Sequence, residues 1–528
     1  MEEANYRLTI FLIKEFVTDF KDCVKDDKGA KYVHLNDESS VDGLIVYTNT
    51  ISRKPEWIDF LESFTDDEIQ IRNNTSNKAL LLIRVQGRIM AIAFGYGRSL
   101  LKEEYIVKNF GFLTALNMLD EKKIRSVNAS TIEDMIVYTQ RQSAYATNQT
   151  EFSLNYLNDI ITAITGKTRE EEYASSISGR DSLVVTVRMS PFEIFDKLQA
   201  YLMAFESDSY KENFSWIDNI REVRDRVLIY KLDERLVEKI FEKQCNNIYI
   251  SPPNTILWES TKGFMLTGSG KNKNNPKNYS EEVDFMEYVN SLSTEVDLRN
   301  KLRRDRLLSL NLDNEPISIC SVYSALVAQI ELEGRVYIVC DGRWYCLDMD
   351  FYEYVIDFVS NITISNIVLP DSSVNELEGE YNSRVSEAED YCLLDKKMFG
   401  VKRGPRKIEA CDLFTRNKQF VHVKKREKSS QLSHLFSQGK VAAECFVSDE
   451  EFRKQVFDEV KAKFGKSVFS YKKRPKPEEY EVVYAIIAKS GKDIITDLPF
   501  FSLVNLMISA QELERMHIRC SLKFISQI

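Results

Sequence analysis

The chain has 528 residues, 43% of them hydrophobic and 11% aromatic, with a formal net charge of −10. This composition is that of a folded globular protein and not a disordered one, and the length calls for about two to four domains. The negative balance excludes a uniformly basic nucleic-acid binder, although charge can still be concentrated locally.

Nine cysteines are scattered with no Cys-x-x-Cys pair, so reduced thiols are expected and structural zinc is not. The start, MEEANYRLTIFLIKEF, is acidic, and its apolar run is short and alternating. Neither a signal peptide nor a membrane span is expected. The reading is a soluble cytoplasmic protein with no membrane partner.

In chain order, Leu8–Ile13 and Leu44–Tyr47 read as strands. Leu80–Val85 and Arg88–Phe94 flank Gln86-Gly87 and read as a hairpin. Tyr105–Leu119 and Leu154–Ile164 carry helical periodicity. These elements make a mixed α/β N-terminal domain, residues 1–180. Thr165-Gly166-Lys167-Thr168 looks like the tail of a phosphate loop, but Ile161 stands where that loop needs glycine. Gly268-x-Gly270-Lys271 fails in the same way, and Gly268–Lys277 reads as a flexible polar loop.

An α/β middle domain is expected over residues 181–370. It opens with a strand at Leu183–Val187. Ser190 then caps a helix that has Pro191 in its first turn. Arg335–Val339 and Trp344–Met349 meet at Asp341-Gly342, a strong hairpin signal, and Phe351–Phe358 continues as a helix. The turn formers Leu369-Pro370-Asp371-Ser372-Ser373 mark the next boundary.

The last segment, residues 371–528, reads as a helix over Asn375–Glu389 and three strands, Tyr391–Leu394, Lys407–Phe414 and Gln419–Lys425. A helix over Ser430–Phe446 follows, extended or succeeded by Phe452–Phe464, and then a buried strand, Tyr480–Ala488. Gln438-Gly439 reads as a helix break or kink. Between Lys396 and Lys428 lie twelve Lys or Arg against three acids, a local excess of nine positive charges. Such a field suits a confined phosphate-binding surface; a solvated strand edge and loop is the plain alternative.

Within this segment Asp412 ends one apolar strand and Lys424 lies on the next. Carboxylates that hold Mg²⁺ or Mn²⁺ can activate a water, and a nearby lysine can orient that water or stabilise charge. Asp412 is the expected principal metal ligand, Lys424 the assisting cation, and Glu380, on the preceding helix, a second carboxylate. His422 stands two residues before Lys424, on the same strand face. Histidine can bind Mn²⁺ or act as a general base, but it is a poor Mg²⁺ ligand. Either the missing acid has migrated, to Glu409 or to Glu444 on the next helix, or the site is not metal-dependent. Glu409 and Asp412 are three apart, so on one strand they point to opposite faces and do not both serve one site unless a bulge intervenes. Expected nucleic-acid contacts are Arg403, Arg406, Lys407, Lys425, Arg426, Lys428 and His434. Each of these residues also has a structural alternative: a strand-end cap for Asp412, a solvated lysine for Lys424, and packing for His422 and His434. A kinase-like pairing of Lys424 with Glu444 is a weaker alternative, because no catalytic-loop or D-F-G motif follows.

The order helix, three strands, helix, strand, with Asp412 and Lys424 on the second and third strands, resembles the core of the PD-(D/E)xK restriction-endonuclease-like superfamily. That resemblance implies the Val423 carbonyl as a further metal ligand, and His422 departs from its acidic position. TIFLIK, ITGKT…SGRDSL, GRWYCLD, EACDLF, VHVKK and SSQLSHLFSQG together resemble an uncharacterised, sporadically distributed bacterial family over nearly the whole chain. Sporadic occurrence implies horizontal transfer and association with mobile-element or phage-defence systems. The overall expectation is an α+β, multidomain protein with an endonuclease-like C-terminal core. Its leading functional reading is a metal-dependent nuclease-like effector (a hydrolase) acting on DNA or RNA, as a homo-oligomer or beside a partner protein of a defence operon. The alternative is a non-catalytic nucleic-acid-binding sensor or scaffold of a defence complex.

Overall fold

A computed structural model describes residues 3–26, 29–35, 41–53, 74–132, 136–245, 248–252, 256, 258–267, 283, 285–290, 292, 297–311, 316–402, 407–426, 432–489 and 498–528. The polar loop expected at Gly268–Lys277 lies outside them. The chain forms two compact units, Met1–Ser130 with Tyr138–Ile217, and Thr131–Val137 with Asp218–Ile528.

The first unit is built on a ten-stranded sheet. Its strands are β1 (Ala4–Leu12), β2 (Ala30–His34), β3 (Gly43–Arg53), β4 (Asn74–Val85), β5 (Arg88–Gly95), β6 (Leu119–Ile132), β7 (Ile136–Thr147), β8 (Asp159–Thr168), β9 (Ser176–Gly179) and β10 (Leu183–Met189). They lie in the order β2-β3-β4-β5-β1-β10-β9-β8-β6-β7. Strand alternation sends Ile10 and Leu12 into one buried cluster and Phe11 and Ile13 into another, so both faces of the sheet are covered. Helices α1 (Phe110–Met118) and α2 (Ile194–Glu206) lie on the first of these faces. The hairpin at Gln86-Gly87 forms as expected, with φ of 48° and 79° that match a turn with two left-handed residues.

Two helical expectations are corrected here. Leu154–Ile164 does not form a helix: from Asp159 onward it belongs to β8, where Ile160, Ile161, Thr162, Ile164 and Thr165 favour the pleat. Tyr105–Leu119 is α-helical only over Phe110–Met118, with Tyr105 ending a separate 3-10 turn. Thr165–Thr168 completes β8, so that segment is strand and not a phosphate loop. The strand expected at Leu183–Val187 is β10, paired with β1 in this same sheet.

The second unit contains a five-stranded sheet, a three-stranded sheet and a six-stranded sheet. The five-stranded sheet combines β11 (Ile220–Glu222) and β12 (Ile248–Ile250) with β16 (Leu326–Leu332), β17 (Arg335–Cys340) and β18 (Arg343–Leu347). The three-stranded one is β13 (Gly263–Leu266), β14 (Arg306–Leu310) and β15 (Pro316–Ser321). The Asp341-Gly342 hairpin joins β17 to β18 as expected. Helix α3 (Arg226–Phe241) is capped by Asp225 and carries the fully buried Asp233 into this core. Asp233 accepts hydrogen bonds from Tyr323 Oη and Trp344 Nε1 and pairs with Arg299 and Arg303. Helix α4 (Met349–Ser360) follows β18.

The six-stranded sheet positions the candidate site. Its order is β19 (Thr363–Ile364), β26 (Arg519–Gln527), β25 (Glu481–Lys489), β24 (Gln419–Lys425), β23 (Leu413–Thr415), β20 (Tyr391–Leu393). β24, β25 and β26 are parallel, and β23 is antiparallel to both β24 and β20. A short ribbon of β21 (Met398–Gly400) and β22 (Lys407–Glu409) leaves this sheet between β20 and β23. Helix α5 (Glu378–Val385) covers one face, where Tyr381 and Val385 meet Val421, Val423, Val483 and Ala485. Helices α6 (Leu432–Ser448) and α8 (Phe500–Arg515) make the two crossovers between parallel strands, with α7 (Glu450–Phe464) after α6. β25 is the expected apolar run, buried from Val482 to Ala488, as a central parallel strand requires.

Gly439 is not a helix break. α6 runs through it, and a Cβ there would lie 2.6 Å from Tyr484 Cε1. The glycine lets the helix approach Tyr484, whose hydroxyl donates to the Phe436 carbonyl at 2.8 Å.

Candidate functional site

Asp412 is the pivot of the site. Sequence periodicity expects one strand over Lys407–Phe414, but β22 stops at Glu409 and β23 starts at Leu413. The Asp412 carbonyl accepts the amides of Leu394 (2.8 Å) and Asp395 (3.0 Å), and its own amide donates to the Val421 carbonyl at 3.1 Å. Its carboxyl Oδ2 accepts the Val423 amide at 2.6 Å, closing β24 where the β23 ladder ends.

This break is the interruption that lets Glu409 and Asp412 serve one site. Because residues 410–412 leave the strand geometry, alternation does not apply across them. Asp395, Glu409 and Asp412 converge, with one carboxylate oxygen of each within 4.8 Å of the others. Asp395 arrives on the turn after β20, and its Oδ2 lies 3.4 Å from Asn382 Nδ2 of α5. Glu409 accepts the Lys396 amide.

Burial dominates the electrostatics. It pushes the Asp412 carboxyl up to about 8, helped by the nearby charges of Glu409, Asp395 and Glu378 and opposed by the Val423 amide. Burial also raises Glu409, while the Lys396 amide and Lys424 pull it down. Lys424 reaches the group from β24, and its Nζ lies 3.2 Å from Glu378 Oε1 at the start of α5. The other Glu378 oxygen accepts the Lys425 amide at 3.3 Å.

Among the expected site residues, Asp412 and Lys424 are brought to one neighbourhood. Glu380 is not: its carboxylate turns back to accept the Leu377 amide at 2.9 Å, closing the first turn of α5. The acid that α5 does supply is Glu378, which no sequence pattern singles out. His422 is also held apart. Its ring is 3% exposed, lies 6.1 Å from the Tyr484 ring on the α6 face, and has Nε2 buried without a hydrogen-bond partner. Desolvation lowers His422 to about 3, so it is a neutral packing residue near neutral pH. Glu444 is exposed on α6 and Lys424 pairs with Glu378, so the kinase-like pairing is not formed.

Four cations of the basic run are paired with acids from elsewhere in the chain. Lys397 pairs with Glu459, Arg416 with Asp390, Lys418 with Glu479 and Lys424 with Glu378. Lys425 donates to the Val374 and Glu376 carbonyls. Lys407 is exposed at the start of β22, Arg426 follows β24 half-buried, and His434 is exposed on α6, not packed. Arg403, Arg406 and Lys428 lie outside the described residues.

The donor set is three hard carboxylate oxygens, which suits Mg²⁺ or Mn²⁺. Asn382, fully buried beside Asp395, keeps its Oδ1 without a partner, an acceptor that a coordinated water could satisfy. Three half-buried carboxyls with oxygens within 4.8 Å of one another repel when ionised, so the residues present fit such an ion.

Fold and site define an α+β protein whose second unit gathers carboxylates and a lysine where β20, β23 and β24 meet. The chain belongs to DUF6119, a family of unknown function whose sequence model matches residues 8–526. No curated protein and no solved structure matches it. No helix among the described residues is long and apolar enough to cross a membrane.

Proposed function

We propose that the protein is a metal-dependent, nuclease-like hydrolase acting on nucleic acid, in an anti-phage defence or mobile-element setting. The observation that carries this reading is the convergence of Asp395, Glu409 and Asp412 within reach of one ion. The succession α5, β20, β23, β24, α6, β25 supports it, since it repeats the order of the endonuclease-like core, with its second strand antiparallel and its fourth parallel to the third.

Asp395, Glu409 and Asp412 would hold Mg²⁺ or Mn²⁺. Such an ion, when bound, neutralises developing phosphate charge and acidifies a water. The Val423 amide holds the Asp412 carboxyl in place, and Glu378 holds the Lys424 ammonium beside the carboxylates, where it can stabilise charge on a phosphate oxygen.

A second reading, a non-catalytic sensor or scaffold that binds nucleic acid, rests on His422. A buried histidine stands there, so β24 has no carboxylate two residues before Lys424. The test is to incubate the protein with plasmid, single-stranded DNA and RNA, with Mg²⁺ or Mn²⁺. Cleavage lost in both Asp412→Asn and Lys424→Ala, with folding intact, supports the hydrolase. Binding that weakens steeply with salt and never cuts supports the scaffold.

A further inference from the structure

At the amino ends of the parallel strands, away from the Lys424 end of β24, lies a cavity of about 660 Å³. That volume falls within the range of small-molecule sites. Its walls come from the carboxyl-terminal turns of α4 and α8, the turn at His517, and the starts of β25 and β26.

Three features give it one sign. Asp357, Glu478, Glu481 and Glu514 line it against a single strong cation, Arg519. No Lys or Arg among the described residues forms an ion pair with any of these four acids. Glu481 is 9% exposed, and its carboxylate is met by neutral groups alone, Gln419 Nε2 at 2.9 Å and the Ser521 hydroxyl. A carboxylate so buried without a countercharge is costly. Two helix carboxyl-terminal ends also point their negative dipole ends here. Tyr354, 51% exposed, and Phe358 add aromatic surface of the kind that receives an ammonium or guanidinium.

A bare metal ion does not fit. Among the described residues the grouping of carboxylates close enough for one ion is Asp395, Glu409 and Asp412, and none of those lines this cavity. The charges are spread around a hollow, which suits an extended ligand with several positive centres. We propose that this cavity binds a small organic polycation of the polyamine class, with ammonium groups on Glu481 and on the Asp357–Glu514 rim and the alkyl chain against Phe358 and Ile518.

The probe is spermidine, titrated into the full-length chain by calorimetry at moderate salt, with Mg²⁺ and a neutral diol of similar length as controls. Saturable spermidine binding is expected, weakened at least tenfold in Asp357→Asn/Glu514→Gln. Neither residue is part of the buried core, so this variant folds. Asp412→Asn should bind spermidine as the parent does, which separates this cavity from the carboxylate cluster. Absence of saturable binding, binding unchanged in the double variant, or equal competition by Mg²⁺ overturns the proposal.

Discussion

The Asp412 carboxyl accepts the Val423 amide at 2.6 Å, so one half-buried side chain both closes the β23–β24 ladder and anchors the carboxylate cluster. Structural and chemical roles therefore meet in one group, and its protonation is the first thing to test.

Asp412 is raised from an ordinary carboxylate value to about 8. The folded state therefore keeps a proton that the unfolded chain has released, and stability falls as pH rises from about 4 to about 8. Every tenfold difference in proton affinity between the two states corresponds to about 1.4 kcal/mol, and sharing of the proton with Glu409 and Asp395 reduces the net effect. Asp412→Asn should flatten this decline and be more stable than the parent at pH 8.5, read from urea melts at several pH values. A parent whose stability is flat over that window would contradict the assignment. A divalent ion competes with the same proton, so Mn²⁺ affinity should rise with pH.

Glu378 and Glu380 should separate by function. The Lys424–Glu378 pair is about one-third exposed on each side, so Glu378→Gln should cost less than about 1 kcal/mol while lowering cleavage at least tenfold. Glu380→Ala removes the acceptor for the Leu377 amide and should cost about 1 kcal/mol, with cleavage nearly unchanged at a temperature where the fold is intact. The reverse pattern in paired denaturation and cleavage assays would place the α5 carboxylate wrongly.

Gly439→Ala tests the packing of α6 on β25. In an open helix the change gains about 1 kcal/mol. Here the new methyl would sit 2.6 Å from Tyr484 Cε1, so a loss of about 1–3 kcal/mol is expected from overpacking. A rise in midpoint would show that Tyr484 yields freely.

Asp233→Ala should be severe, at about 3–5 kcal/mol. It strips the shared acceptor from Tyr323, Trp344, Arg299 and Arg303. Thermal melting of Asp233→Ala against Arg299→Ala, which leaves one arginine on the carboxylate, gives the comparison; equal small losses would deny Asp233 its central place.

Local patterns in the chain were sufficient for several elements of both units. Hairpin turns at Gln86-Gly87 and Asp341-Gly342 announce themselves through left-handed positions, and the YEVVYAIIA run announces a central parallel strand. Periodicity misread Leu154–Ile164, because a strand between other strands and a buried helix face can show the same apolar spacing.

Apolar period and turn chemistry are local properties, so the order of elements around Asp412 and Lys424 was legible along the chain. Which acids meet was settled by packing between distant segments. A break at residues 410–412 undid strand alternation and turned Glu409 toward Asp412; the first turn of α5 used Glu380 as a cap and left Glu378 for Lys424; acids distant in sequence paired with four cations of the basic run. Those outcomes depend on contacts between segments far apart in the chain, where periodicity within a single segment carries no information.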